Sequence, residues 1–158
     1  MPHSDIQMYL SDHLAGATGA IALLEHLERD FSDTVGTIVR DVRTEVEHDR
    51  ETLTRIATAV GVHESTPRKL SGWLGEKLTE IKLALDDGGQ GPLNLLESLE
   101  AIGMGIDGKL ALWKGLEHAS AADERLRAFD YTRLEQRAFE QRERIELLRL
   151  AAVRAVFS

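Results

Sequence analysis

Apolar residues recur at spacings of three and four along almost the whole chain, and nowhere alternate with period two for long enough to make a strand. That periodicity belongs to amphipathic helices, each with one face turned to a shared core. Punctuation is sparse. Of three prolines, Pro2 precedes the first periodic segment, Pro67 follows Thr66 as the first residue after an N-cap, and Pro92 follows Gly91 at the opening of another segment. Gly88, Gly89 and Gly91, with Asp86 and Asp87, make one breaker loop. The 158 residues are 42% apolar and 29% charged, which suits one domain over 1–158 with a core of its own.

Four long helices and a shorter one follow from these signals. The first runs from about Ser4 to Arg29 and the second from about Asp33 to Val60, stopped by Gly61. A third, from about Pro67 to Leu85, carries Leu70, Trp73, Leu74, Leu78, Ile81 and Leu85. The fourth runs from about Leu93 to His118. The main body of the last extends from Asp130, its cap, to near Phe157, with a helical turn at Asp123 to Arg127 before it. A tight turn near Ser32 makes the first two antiparallel, and the last two form a second hairpin. The segment between Gly61 and Gly91 is long enough to cross the bundle lengthwise.

Three core stripes are each broken by one polar residue. His13 interrupts Ile6, Leu10, Ala17, Ala20, Leu24 and Leu27. Asp49 interrupts Val35, Val39, Val42, Val46, Leu53, Ile56 and Val60. Gln141 interrupts Tyr131, Leu134, Ala138, Ile145, Leu148 and Ala152. With a first turn near residue 31, residue n faces roughly residue 62 − n, because both helices rise equally per residue. His13 then faces Asp49. With a second turn near residue 124, Gln141 faces Asp107 and Gly108, and a full-length crossover brings Asp49 to that height. The three breaks fall in one layer. It reads first as a structural layer that fixes helix register, with His13 touching Asp49, and alternatively as a metal site.

Glu45-Val46-Glu47-His48, on the second helix beside Asp49, is a Glu-x-x-His. In helix order, crossover and this half-motif the chain resembles the ferritin-like superfamily of the rubrerythrin type. The resemblance covers nearly all 158 residues, and implies an all-α, ferritin-like four-helix bundle with an additional crossover helix. It also implies a transition-metal ligand set, of iron, manganese or zinc, at His13, Glu45, His48 and Asp49. Here the set is degenerate. The last helix offers Arg137-Ala138-Phe139-Glu140 and Gln141-Arg142-Glu143-Arg144 where the second Glu-x-x-His would stand, and arginines do not bridge cations. No cofactor is therefore expected.

Other chemistry is narrowed by composition. Nineteen basic against 27 acidic side chains give 19 − 27 = −8, the wrong sign for displacing counterions from nucleic acid or for an anionic membrane surface. There is no cysteine, and so no thiolate catalysis or disulfide, in keeping with a cytoplasmic protein. The start lacks the profile of a signal peptide, and no apolar run approaches the ~20 residues of a membrane span. Gly103-Met-Gly105-Ile-Asp-Gly108 matches a dinucleotide fingerprint but has helix on both flanks, which makes it a sign of close helix approach or of room beside the polar layer. No residue set names a reaction. The expectation is a homodimeric bundle that binds a protein or a small apolar molecule, the alternative being a metal-binding protein or metal-dependent oxidoreductase around Glu45 and His48.

Overall fold

A computed structural model describes residues 2–31, 33–63, 75–76, 79–80 and 91–158. Four long helices dominate: α1 (Pro2–Asp30), α2 (Thr34–Ala59), α3 (Pro92–Ala119) and α4 (Tyr131–Val156). A 3-10 turn, Glu124–Leu126, precedes α4, and there is no strand among the described residues. The expected third helix, from Pro67 to Leu85, lies outside the described residues apart from Gly75, Glu76, Thr79 and Glu80, which are helical.

The ends follow local chemistry. Asp33 accepts from the Val35 amide and caps α2, and Asp130 accepts from the Arg133 amide and caps α4. Gly61, at φ +81°, ends α2 in a backbone conformation that a side chain disfavours. Arg127 donates to the carbonyls of Ser120 and Ala121 just past α3, and the Tyr131 hydroxyl donates to the Leu126 carbonyl. Together they hold the connection between α3 and α4 in one shape.

Cross-links fix the directions. Glu28–Arg43 and Thr18–Arg50 make α1 and α2 antiparallel, and Asp107–Arg142 and Glu100–Arg149 do the same for α3 and α4. Glu45–Arg144 and Asp49–Arg137 run α2 antiparallel to α4. It follows that α2 and α3 point the same way. Helix α1 packs on α2 and α3, and α4 on α3 and α2. The stripes read from the sequence are the ones buried: Val39, Val42, Val46, Leu53 and Ile56 on α2, and all seven positions from Tyr131 to Ala152 on α4. None of the described helices is long and apolar enough to cross a membrane.

Candidate functional site

The polar layer is built on Asp49, which is 2% exposed. Lys109 Nζ donates to Asp49 Oδ2 at 2.7 Å and to Gln141 Oε1 at 2.6 Å. The Gln141 amide donates to Asp49 Oδ2 at 3.1 Å, and Arg137 Nε donates to Asp49 Oδ1 at 2.9 Å, joined there by its Nη2. Both carboxylate oxygens are thus occupied, and Gln141, with no exposed surface, has both ends of its amide engaged. A buried charge is tolerated only when paired and hydrogen-bonded in this way. Burial pulls the Lys109 ammonium below its ordinary range, and the Asp49 carboxylate opposes that shift.

His13 is not part of this arrangement, which corrects the expected His13–Asp49 contact. Arg50, expected opposite residue 62 − 50 = 12, hydrogen-bonds Thr18 instead. The offset is 18 − 12 = 6 residues, ~9 Å along a helix, and the reach of an arginine accounts for only part of it. Asp49 is also turned toward α3 and α4 rather than α1. His13 instead meets Tyr9 edge-on, with ring centroids 4.9 Å apart. Desolvation lowers its imidazole below the ordinary 6.5, and Asp12 pulls the other way.

The expected ligand set does not assemble. Glu45 is ion-paired with Arg144, His48 is exposed, and Asp49 is held by Lys109, Arg137 and Gln141. Among the described residues there is no group of three or more metal-ligating side chains. Lys109 and Arg137 were missed in the sequence, although the signal was there. Lys109 sits three residues after Ile106 and four before Trp113, in the buried stripe of α3, and Arg137 lies one turn before Gln141. The glycine pattern drew the eye away from the lysine that follows it.

Beside the layer, chiefly between α1 and α3, lies a cavity of about 240 Å3. Small residues make the room: Gly16, Ala17 and Ala20 on α1, and Ala101, Gly105 and Gly108 on α3. A Cβ at Gly105 or Gly108 would meet nothing within 4 Å, so these glycines leave space and do not serve close packing. Gly103 differs, since its Cβ would lie 3.1 Å from the Arg142 guanidinium carbon. The fingerprint therefore combines both of its steric readings, one close approach and two open positions.

Apolar walls from Leu23, Leu24, Val46, Leu53, Ile102 and Leu112 complete the cavity. The polar side chains on its wall are the exposed Asp12 and half-buried His13 on α1, Asp49 and Arg50 on α2, and Lys109 on α3. Trp113 is fully buried, and its indole Nε1–H has no hydrogen-bond partner among the described residues. Such an orphan is uncommon, because an unsatisfied buried donor costs about 1–3 kcal/mol.

Fold and site define an all-α helical bundle with an internal charge layer beside an apolar cavity. No protein-family model, curated protein or solved structure matches the chain.

Proposed function

We propose that this chain is a ferritin-like bundle that binds a small, largely apolar molecule between α1 and α3. The cavity is the observation that carries the reading. Protein interiors hold few voids larger than a water molecule. At about 240 Å3 this space is far larger, and its walls are largely apolar. Gly105 and Gly108 leave it open where alanine or leucine would reduce it. An engineered cavity of ~150 Å3 holds benzene, and by proportion this one holds about ten non-hydrogen atoms.

The charge layer supports the ferritin-like half of the proposal. In a di-iron bundle two cations hold the inward carboxylates together. Here Lys109, Arg137 and Arg144 bring the positive charge to Asp49 and Glu45. A binding role in the space beside them fits such a bundle better than redox chemistry at the layer.

Thermal unfolding with saturating 1-octanol tests the binding. At a hundredfold excess over Kd a ligand adds about 2.7 kcal/mol, which raises Tm by roughly 5–10 °C for a domain of this size. Gly105→Leu, which places a side chain in the open space, is expected to abolish the rise while folding normally. An unchanged Tm in wild type, or an equal rise in the variant, would contradict the proposal.

A further inference from the structure

Helix α4 carries apolar residues on two opposite faces. Its buried stripe includes Ile145, Leu148 and Ala152. Leu150 follows Leu148 by two residues, ~200° around the helix, and so stands on the side away from the core. Phe139, Leu147, Leu150 and Phe157 share that outer face, at 51%, 69%, 51% and 85% exposure, with Glu143 and Arg154 between them. The six positions follow one another in steps of four, four, three, four and three, which keeps them in one stripe. Single apolar residues on a surface are common, but four in register over ~27 Å of helix make a patch that marks an interaction site.

The two charges in the stripe lack partners among the described residues. Arg142, Arg144 and Arg149 are each ion-paired within the chain, whereas Glu143 and Arg154 are exposed and paired with none of those residues. Their placement is self-complementary. When two copies of α4 lie antiparallel about a two-fold axis, residues at equal distances on either side of the centre face one another. A centre between Leu148 and Arg149 sets Leu147 against the partner's Leu150, and the same centre sets Glu143 against the partner's Arg154. It also brings Phe139 beside the partner's Phe157 at each end of the stripe. One register therefore pairs both leucines and both charges, each of them twice.

From this symmetry we infer that the outer face of α4 docks on a second copy of the chain, as an antiparallel two-fold helix pair centred between Leu148 and Arg149. Leu147 and Leu150 form the middle of the contact, and two Glu143–Arg154 ion pairs flank them. The stripe is ~27 Å long, and at the ~10 Å width of a helix it covers less than the ~800 Å2 per partner of a stable complex, so the pairing is reversible and depends on concentration. The wall of the cavity comes from α1, α2 and α3, so neither reading rests on the other.

Sedimentation velocity of the full chain from micromolar to millimolar concentration tests this. Wild type is expected to pass from monomer to dimer, and Leu150→Lys, at an exposed position, to stay monomeric throughout. Glu143→Arg and Arg154→Glu each set like charges against one another at both places, and each is expected to weaken the dimer at least about fivefold. Mixed in equal amounts, the two variants put arginine opposite glutamate at both places, and the mixed dimer is expected to return to within about twofold of wild type. That recovery also shows that both variants fold. A chain that stays monomeric throughout overturns the pairing and leaves the stripe to another segment of the chain or to another protein. Association that survives in Leu150→Lys, or charge variants whose mixture does not recover, also overturns it.

Discussion

Asp49 receives four donors from three side chains, Lys109, Arg137 and Gln141, and this crowding decides how single residues behave. Asp49→Leu leaves two cations without their counter-charge, and removing one member of a buried pair costs about 3–5 kcal/mol. Asp49→Leu combined with Lys109→Met is expected to recover a large part of that loss, while Asp49→Leu combined with His13→Leu is expected to be additive within about 0.5 kcal/mol. Denaturant unfolding of the two double-mutant cycles checks both. Strong coupling between positions 13 and 49 would restore the contact that the structure lacks. His13 has a separate signature. Its folded pKa is depressed by burial, so the unfolded chain takes up a proton first as pH falls through 6.5. Stability is therefore lost from about pH 6.5 downward until the folded imidazole also protonates. His13→Leu is expected to lose less stability than wild type between about pH 7.5 and 5.5. Equal losses would show that His13 is solvated in the folded state.

Among the elements, the glycines of α3 separate three effects that sequence alone merges. Gly105→Ala and Gly108→Ala place a methyl in open space and are expected to stabilise by up to about 1 kcal/mol, the helix-propensity difference between the two residues. Gly103→Ala displaces the Arg142 guanidinium from its place between Asp107 and Glu146, and is expected to gain little or to destabilise. Gly61→Ala enforces a positive φ on a residue with a Cβ and is expected to cost about 1 kcal/mol. Thermal melts of the four variants check the ranking. A stabilised Gly103→Ala beside a destabilised Gly105→Ala would invert it. Helices, caps and stripes were legible because they are local: Asp33, Asp130, Gly61 and the α4 stripe each act within a few residues of themselves. The partner of Asp49 was not, because it depends on how helices turn about their own axes. A register counted from a loop is only as good as the assumed turn: it placed Gln141 near Gly108 correctly, but between α1 and α2 it slipped in height by 18 − 12 = 6 residues, and with rotation also left open it gave Asp49 the wrong neighbour. The cavity was hidden for a related reason. Gly16, Ala17, Ala20, Gly105 and Gly108 read equally as close packing or as room, and only the separation of α1 from α3 decides between them.

Across the whole molecule, α1–α2 and α3–α4 are two hairpins tied by ion pairs, and the layer around Asp49 binds α2, α3 and α4 to one another. Helix α1 packs on α2 and α3. Its contact with α3 is the one that opens into the cavity. The direct measurement is a crystal structure of the chain grown with 1-octanol. The account predicts density for the bound molecule between α1 and α3, beside Gly105 and Ala101, with the Asp49 layer unchanged. An α1 collapsed onto α3 with no space between Ala17 and Gly105, or an open space containing only solvent, would contradict it.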